Sequence, residues 1–410
     1  MMENGEKWII GEKWMIGGKD IRKNIKKEKE KIKFLSQGAY GCVFHPGFTC
    51  KTGKIQTKKY LTKVETEHKT AEKEFAIGEF IRKKIRHYAT MFAPIISYCS
   101  IDVSTVNKDV IKTCDLIQDE KTIYSNKIKY VGKQTLEPYL YSFLQDNENT
   151  TFFVTQLFET HIYLTNSIEK LIHHKIVHFD IKENNVMYDT QQYLPIIIDF
   201  GLSFRIDLLK TNIDYEKAFY IFVSTCTWWC LEIAIISFIV CKVYTTSKSA
   251  NWMTDIIDVN QLLGILEHYY TENPNMKLIS IQWEKDVEIS KQKWKKYITT
   301  QYKNKTGKFI VEALMQSWER WDLFALSFIY LSFLQNLCVD CLEHYQDFLV
   351  KYILAFPLDD KTGIKEYYRQ LVTYSEEYVD LKTLTFNEDK YAENSKVSKS
   401  HVLEIEKQIY

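Results

Sequence analysis

The chain has 410 residues, 45% hydrophobic and 26% charged, which is enough apolar side chain for a packed core and too much for a disordered chain. A net charge of +1 excludes bulk attraction to nucleic acid or to an anionic membrane as the organising principle. With six prolines and 14 glycines there is little room for long linkers, and the length allows one large domain or two to three ordinary ones.

Nine cysteines, an odd number without paired spacing, predict reduced thiols and a cytoplasmic chain rather than a disulfide framework. Cys338 and Cys341 form a C-x-x-C with no second pair, which reads as helix packing rather than a zinc or redox site. The most apolar runs, 233–241 and 323–334, fall short of the ~20 residues of a membrane span and read as buried helices.

In chain order, residues 1–32 form an arm. It begins with a short tandem repeat, Gly5-Glu6-Lys7-Trp8-Ile9-Ile10 then Gly11-Glu12-Lys13-Trp14-Met15-Ile16, and continues as a basic stretch over 19–33. Residues 34–43 read as strand, glycine turn, strand. Gly38 and Gly41 let the backbone approach a phosphate that a Cβ would push away, with Tyr40 at the tip. Lys63 sits in an alternating strand, Tyr60-Leu61-Thr62-Lys63-Val64, and is the candidate to grip the phosphates of a nucleotide. Lys58 and Lys59 are alternatives, because the segment 45–59 is long for a hairpin. A helix is predicted over about 67–87, and its inward acid should pair with Lys63. Glu74 fits best because Ile77 and Ile81 continue the same side, and Glu79 is the runner-up. Short strands broken by polar turns follow over 95–130. A long helix over about 151–174 then carries His161, His173 and His174, which lack further ligands in register and read as structural.

Residues 178–201 carry the strongest chemical signal. Asp180, on a loop after a helix, can orient a hydroxyl and accept its proton. Lys182 lies close enough to reach the same transferred phosphate. Asn185 is a neutral oxygen ligand for Mg2+, and Asp199, at the end of the strand Ile196-Ile197-Ile198, is a charged one. This is the pattern of a phosphoryl-transfer site.

With Asp180, Lys182, Asn185 and Asp199-Phe200-Gly201 in these positions, the chain resembles the protein kinase superfamily, whose loops read H-R-D-x-K-x-x-N and D-F-G. Phe179 departs from the pattern, where the usual Arg receives an activation-loop phosphate, so the match does not carry phosphorylation-dependent activation over to this chain, while the chemistry itself is untouched. Ser36 stands where the family has its first loop glycine. The resemblance implies an α+β, two-lobed fold: a small antiparallel β lobe with one helix over 33–131, and a large helical lobe over 132–360. It implies an ATP and Mg2+ site lined by Leu35, Gly38, Gly41, Val43, Lys63, Glu74 and Met187. It also implies that Lys129 and Val131 offer backbone groups to adenine, and that the activity is that of a serine/threonine protein kinase, Lys182 favouring Ser/Thr over Tyr. Glu232 after Trp228-Trp229-Cys230-Leu231 matches the Glu of A-P-E, with an activation segment over 202–231 before it, and Asp322 matches the acid that opens a buried helix. The wording around Glu232, together with Gly38-Ala39-Tyr40-Gly41-Cys42-Val43-Phe44-His45-Pro46, is similar to kinases of large double-stranded DNA viruses, which places the chain in host cytoplasm or virion.

Residues 242–320 read as an insertion of two or three helices, with Trp252, Trp283, Trp294 and Trp318 and a lysine-rich stretch over 291–308. Packing on the large lobe is the expectation, and partner docking is the alternative. The tail, 361–410, is helical to about 376 and polar beyond. The partner implied is a protein substrate, with no membrane and no nucleic acid. Two rivals are a nucleotide-binding scaffold without turnover and a small-molecule phosphotransferase. The latter group lacks the Lys182, Phe200-Gly201, Glu232 and Asp322 set.

Overall fold

Alternation of apolar and polar residues turns the first third of the chain into strands. In the computed structural model, which describes residues 32–38, 41–48, 58–143, 150–335, 337–338, 342–357, 363–377 and 385–386, these are β1 (Lys33–Gln37), β2 (Gly41–His45) and β3 (Tyr60–Glu65), then β4 (Phe92–Ala93), β5 (Ser97–Asp102) and β6 (Thr122–Lys129). All but β4 join one antiparallel sheet of order β1-β2-β3-β6-β5. The helix α1 (His68–Lys84) lies between β3 and β4 in sequence and buries Ala71, Glu74, Ile77, Gly78 and Ile81, one stripe at helical spacing. Gly78 is a packing requirement, since a Cβ there would lie 2.7 Å from the Ile95 carbonyl oxygen. A short helix, α2 (Lys108–Ile111), interrupts the connection to β6.

The remainder is largely helical: α3 (Leu136–Tyr141), α4 (Thr150–His173), α5 (Asn212–Ala218), α6 (Leu231–Val240), α7 (Val259–Glu272), α8 (Pro274–Gln301), α9 (Gly307–Leu314), α10 (Trp321–Gln335), α11 (Glu343–Leu354) and α12 (Ile364–Glu377). Short strands punctuate it: β7 (Ile176–Val177) pairs with β10 (Phe204–Arg205), β8 (Val186–Asp189) with β9 (Leu194–Ile198), and β11 (Leu337–Cys338) with β12 (Thr385–Phe386). β4 joins β9 in parallel and so ties the segment after α1 to the strand that ends just before Asp199. Every residue of α6 is buried, as expected of a helix apolar on all sides. The chain is thus α+β, a five-stranded antiparallel sheet with a larger helical part.

The helix expected over 67–87 is observed at His68–Lys84, and the one over 151–174 at Thr150–His173. The segment 242–320 supplies α7, α8 and α9, and its Trp252 and Trp294 are buried in the main core. Trp283 marks a kink in α8, where its indole donates to Asp347 Oδ1 at 2.8 Å. His161 is a core residue, stacked on Tyr330 and hydrogen-bonded through its two ring nitrogens to the hydroxyls of Tyr345 and Tyr367. Burial holds its pKa well below the usual value, so it is neutral. The tandem repeat, the basic stretch to residue 31, Tyr40, Cys341 and the tail past Phe386 lie outside the described residues.

One expectation is corrected. Cys42 on β2 and Cys114 form a disulfide with Cα atoms 6.1 Å apart, and Cys99 is disulfide-bonded as well. Spacing could not reveal the first pair, because 72 residues separate its members and only the fold packs the segment after α2 against β2. Cys226, Cys230 and Cys241 are free thiols. The cytoplasmic assignment therefore loses the support it drew from reduced cysteines. No helix among the described residues is long and apolar enough to cross a membrane.

Candidate functional site

The loop between β7 and β8 is fixed by its backbone before its side chains do anything. Asp322, at the start of α10, accepts from the backbone N–H of His178 (2.7 Å) and of Phe179 (3.0 Å), satisfying two donors that burial would otherwise leave unpaired. Trp229 Nε1 donates to the Phe179 carbonyl oxygen at 2.9 Å. Phe179 itself has φ of 70°, a left-handed conformation unfavourable for a bulky residue. Its ring is clamped by Phe204, Phe219, Trp229 and Trp321. His178 donates from Nε2 to the Ile198 carbonyl oxygen (3.1 Å), and its Nδ1 accepts from the Asp180 N–H (3.3 Å), a pairing that requires the neutral ring. Burial lowers its pKa to about 4, in agreement.

This frame aims Asp180. Its Oδ2 accepts from Asn185 Nδ2 at 2.7 Å, and the same nitrogen donates to the Asp180 carbonyl oxygen at 2.9 Å. Lys182 Nζ stands 3.3 Å from Oδ1 and 4.7 Å from the centroid of the Trp228 ring. Asp180 Oδ1 is buried with Lys182 as its ion-pair partner, and its remaining lone-pair capacity can accept a proton. Burial pushes the Asp180 pKa up to about 6 against the pull of Lys182. A carboxylate held there is ionised at neutral pH yet basic enough to take a proton.

A second cluster forms where β3, α1 and the end of β9 meet. Lys63 Nζ lies 2.8 Å from Asp199 Oδ1, 3.0 Å from Glu74 Oε2 and 3.3 Å from Glu65 Oε1. Burial works against the charge on Lys63, but Asp199, Glu74 and Glu65 hold its pKa well above the ordinary value. Burial also raises Asp199, and Lys63 overrides it, taking the carboxyl down to about 2. Glu74 is raised by burial and by the neighbouring carboxylates, despite Lys63. Asp199 has φ of 60°, and its Oδ1 accepts from the Gly201 N–H at 3.3 Å. Phe200 turns into the core against Phe92 and His178.

The alternatives weighed for this cluster separate cleanly. Lys58 and Lys59 sit on the exposed turn before β3, where the Lys59 carbonyl oxygen accepts from the Tyr130 N–H. Glu79 pairs with Lys83 on the exposed side of α1.

The glycine turn closes with Gly38 N–H donating to the Gly41 carbonyl oxygen at 2.9 Å. Gly41 is required by the sheet itself, since a Cβ there would fall 2.0 Å from the Val64 carbonyl oxygen. Val43 pairs with Lys63 across β2 and β3, and Leu35 is exposed on β1. Beyond Lys63, Ile128, Val131 and Ile196 form an apolar group to which Leu61, Met187 and Ile198 add their sides. Lys129 ends β6, and its Nζ reaches Asp189 Oδ2 at 3.5 Å. Glu232, at the start of α6, is buried and accepts from Ser317 Oγ at 3.3 Å. Thr211 caps α5 through a capping box with Asp214.

Comparison of the chain with protein-family models and with curated proteins finds no match. The site therefore has to be argued from its own geometry. That geometry brings Asp180, Lys182 and Asn185 into one group and Lys63, Glu74 and Asp199 into another, linked by the charge of Asp199, which acts on Asp180. Leu35, Gly38, Gly41, Val43, Lys129, Val131 and Met187 lie on the elements around them. Sequence reading missed Glu65, Asn126 and the clamp formed by Trp229. Glu65 was findable, because it lies two residues after Lys63 on a strand and must share its face.

Proposed function

We propose that this protein is a protein kinase, transferring the γ-phosphate of ATP to a Ser or Thr hydroxyl. The observation that carries the reading is the pairing of Lys63 with both Glu74 and Asp199 beside a buried Asp180 bonded to Asn185 and Lys182. Residues far apart in sequence meet here in the roles phosphoryl transfer requires: a cation for phosphate oxygens, hard oxygen ligands and a base. The glycine turn and the apolar group around Ile128, Val131 and Met187 would take the phosphates and the adenine, within a two-lobed arrangement of the sheet and the helical part.

Mg2+ suits the donor set, because Asn185 and Asp199 offer hard oxygens and Asp199 stays ionised. When bound, it would offset the negative charge of the triphosphate. Asp180 orients the acceptor hydroxyl and takes its proton as the oxygen bonds to the γ-phosphorus and the bond to the β–γ bridging oxygen breaks. Lys182 stabilises the phosphoryl oxygens while lowering the pKa of the base beside it. Lys63, set by Glu74, holds the phosphates that stay with the leaving ADP.

The test is phosphate transfer from ATP to the protein itself or to a basic Ser/Thr protein, comparing the parent with Asp180→Asn. Loss of a general base costs ~10²–10⁴-fold. Transfer by the parent that is lost in the variant supports the reading. MgATP binding without transfer by either protein would replace it with that of a nucleotide-binding scaffold.

A further inference from the structure

Lys63 has more carboxyl groups around it than one ammonium needs. Glu74 and Asp199 already give it two short contacts, yet Glu65, 1% exposed, brings a third carboxylate to 3.3 Å. A third buried carboxyl must be stripped of water, and burial raises the pKa of Glu65 and Glu74 alike, so stability alone does not account for it. Its placement is nonetheless well supported. Glu65 lies on the same face of β3 as Lys63, and its Oε2 accepts from Asn126 Nδ2 at 3.1 Å. Asn126 is fully buried and is the residue that pairs with Lys63 across β3 and β6. Glu65 Oε1 is the oxygen that faces Lys63, and the same carboxyl lies within hydrogen-bonding reach of Glu74.

We propose that Glu65 is a positioning residue for Lys63, an anchor built into the sheet and independent of α1. The proposal rests on the phosphotransfer reading. On that reading Asp199 would serve as a metal ligand, and the partners of Lys63 from outside that role would be Glu74 on α1 and Glu65 on β3. Glu74 can hold Lys63 only while α1 stays against the sheet. Glu65 moves with Lys63, because the two share a strand. The lysine therefore keeps its aim when α1 shifts.

Two measurements decide this, and the first needs no enzymatic activity. In the Asp199→Asn background, acylation of Lys63 by an acetylating ester is followed by peptide mass spectrometry, with half-buried Lys129 as internal reference. Glu65→Gln keeps the volume and an acceptor for Asn126 but removes the charge. It should speed Lys63 acylation by about tenfold, the effect of losing a close opposite charge, with Lys129 unchanged. An unchanged Lys63 rate overturns the proposal, as does an equal rise at Lys129, which signals unfolding. The second measurement is kcat and KM for MgATP in the parent, Glu65→Gln, Glu74→Gln and the double variant. The double variant should lose more in kcat/KM than the product of the two single losses, with KM rising. Glu74→Gln alone falling as far as the double variant overturns the anchor. A purely structural Glu65 would lower the melting temperature and leave KM in place. If the parent transfers no phosphate, the kinase reading falls, and the acylation result still decides whether Glu65 holds Lys63.

Discussion

The opposing influences on Asp180 can be separated by removing Lys182. Burial raises this carboxyl to about 6, and Lys182, 3.3 Å away, is the largest influence restraining it. At pH 7 a group with that pKa is roughly nine-tenths ionised. Lys182→Met keeps the length of the side chain and removes the charge. Loss of an opposite charge at this range shifts a carboxyl upward by ~1–2 units, so only about a half to a tenth of the base would be ionised at neutral pH. The assay is kcat/KM for phosphate transfer from about pH 5 to pH 9, read for the position of the acid limb rather than its height. The parent should lose activity as pH falls through about 6, and the variant should do so ~1–2 units higher. A limb that stays in place in Lys182→Met refutes the coupling. A parent limb near 4 refutes the assignment of a raised Asp180.

The same shift has a consequence for stability. The folded state holds the Asp180 proton more tightly than the unfolded chain, so this contribution is present below about 4 and is lost as pH rises through about 6. Asp180→Asn should therefore raise stability at pH 7 by up to ~3 kcal/mol in urea unfolding while abolishing transfer, and a destabilised variant would contradict this. Gly41→Ala forces a Cβ into the Val64 carbonyl oxygen and should cost at least ~2 kcal/mol; a melting temperature equal to the parent's would show that β2 can move aside. Trp229→Phe removes the donor to Phe179 and keeps the packing, for a loss of ~1 kcal/mol, whereas Trp229→Ala should cost ~3–5 kcal/mol. Equal losses in the two would mean that the hydrogen bond to Phe179 carries the whole effect and the ring packing adds little.

Much of this arrangement is legible in the sequence because local rules carry it. Alternation around Lys63 marks a strand, the spacing of Ile77 and Ile81 sets the inward side of α1, and Asp180 and Asn185 are close enough in sequence to meet in one loop. What escaped depends on partners distant in sequence. The bond between Cys42 and Cys114 exists only because the segment after α2 packs against β2. Trp229 reaches the Phe179 carbonyl across 50 residues of chain, and nothing local marks an indole as an anchor for a backbone. Glu65 is the intermediate case. Its strand phase was visible, but its role depends on Asn126, which arrives from β6.

The clamp on Phe179 bears on how such a protein could be controlled. On the kinase reading this is where an Arg would receive a phosphate; here a ring is packed against Phe204, Phe219 and Trp229, all from the segment that follows Gly201. A phosphate can be added and erased by other enzymes within minutes, but an aromatic contact formed on folding offers a phosphatase nothing to remove. On the kinase reading, the contact that holds Phe179 in place is made once, as the chain folds.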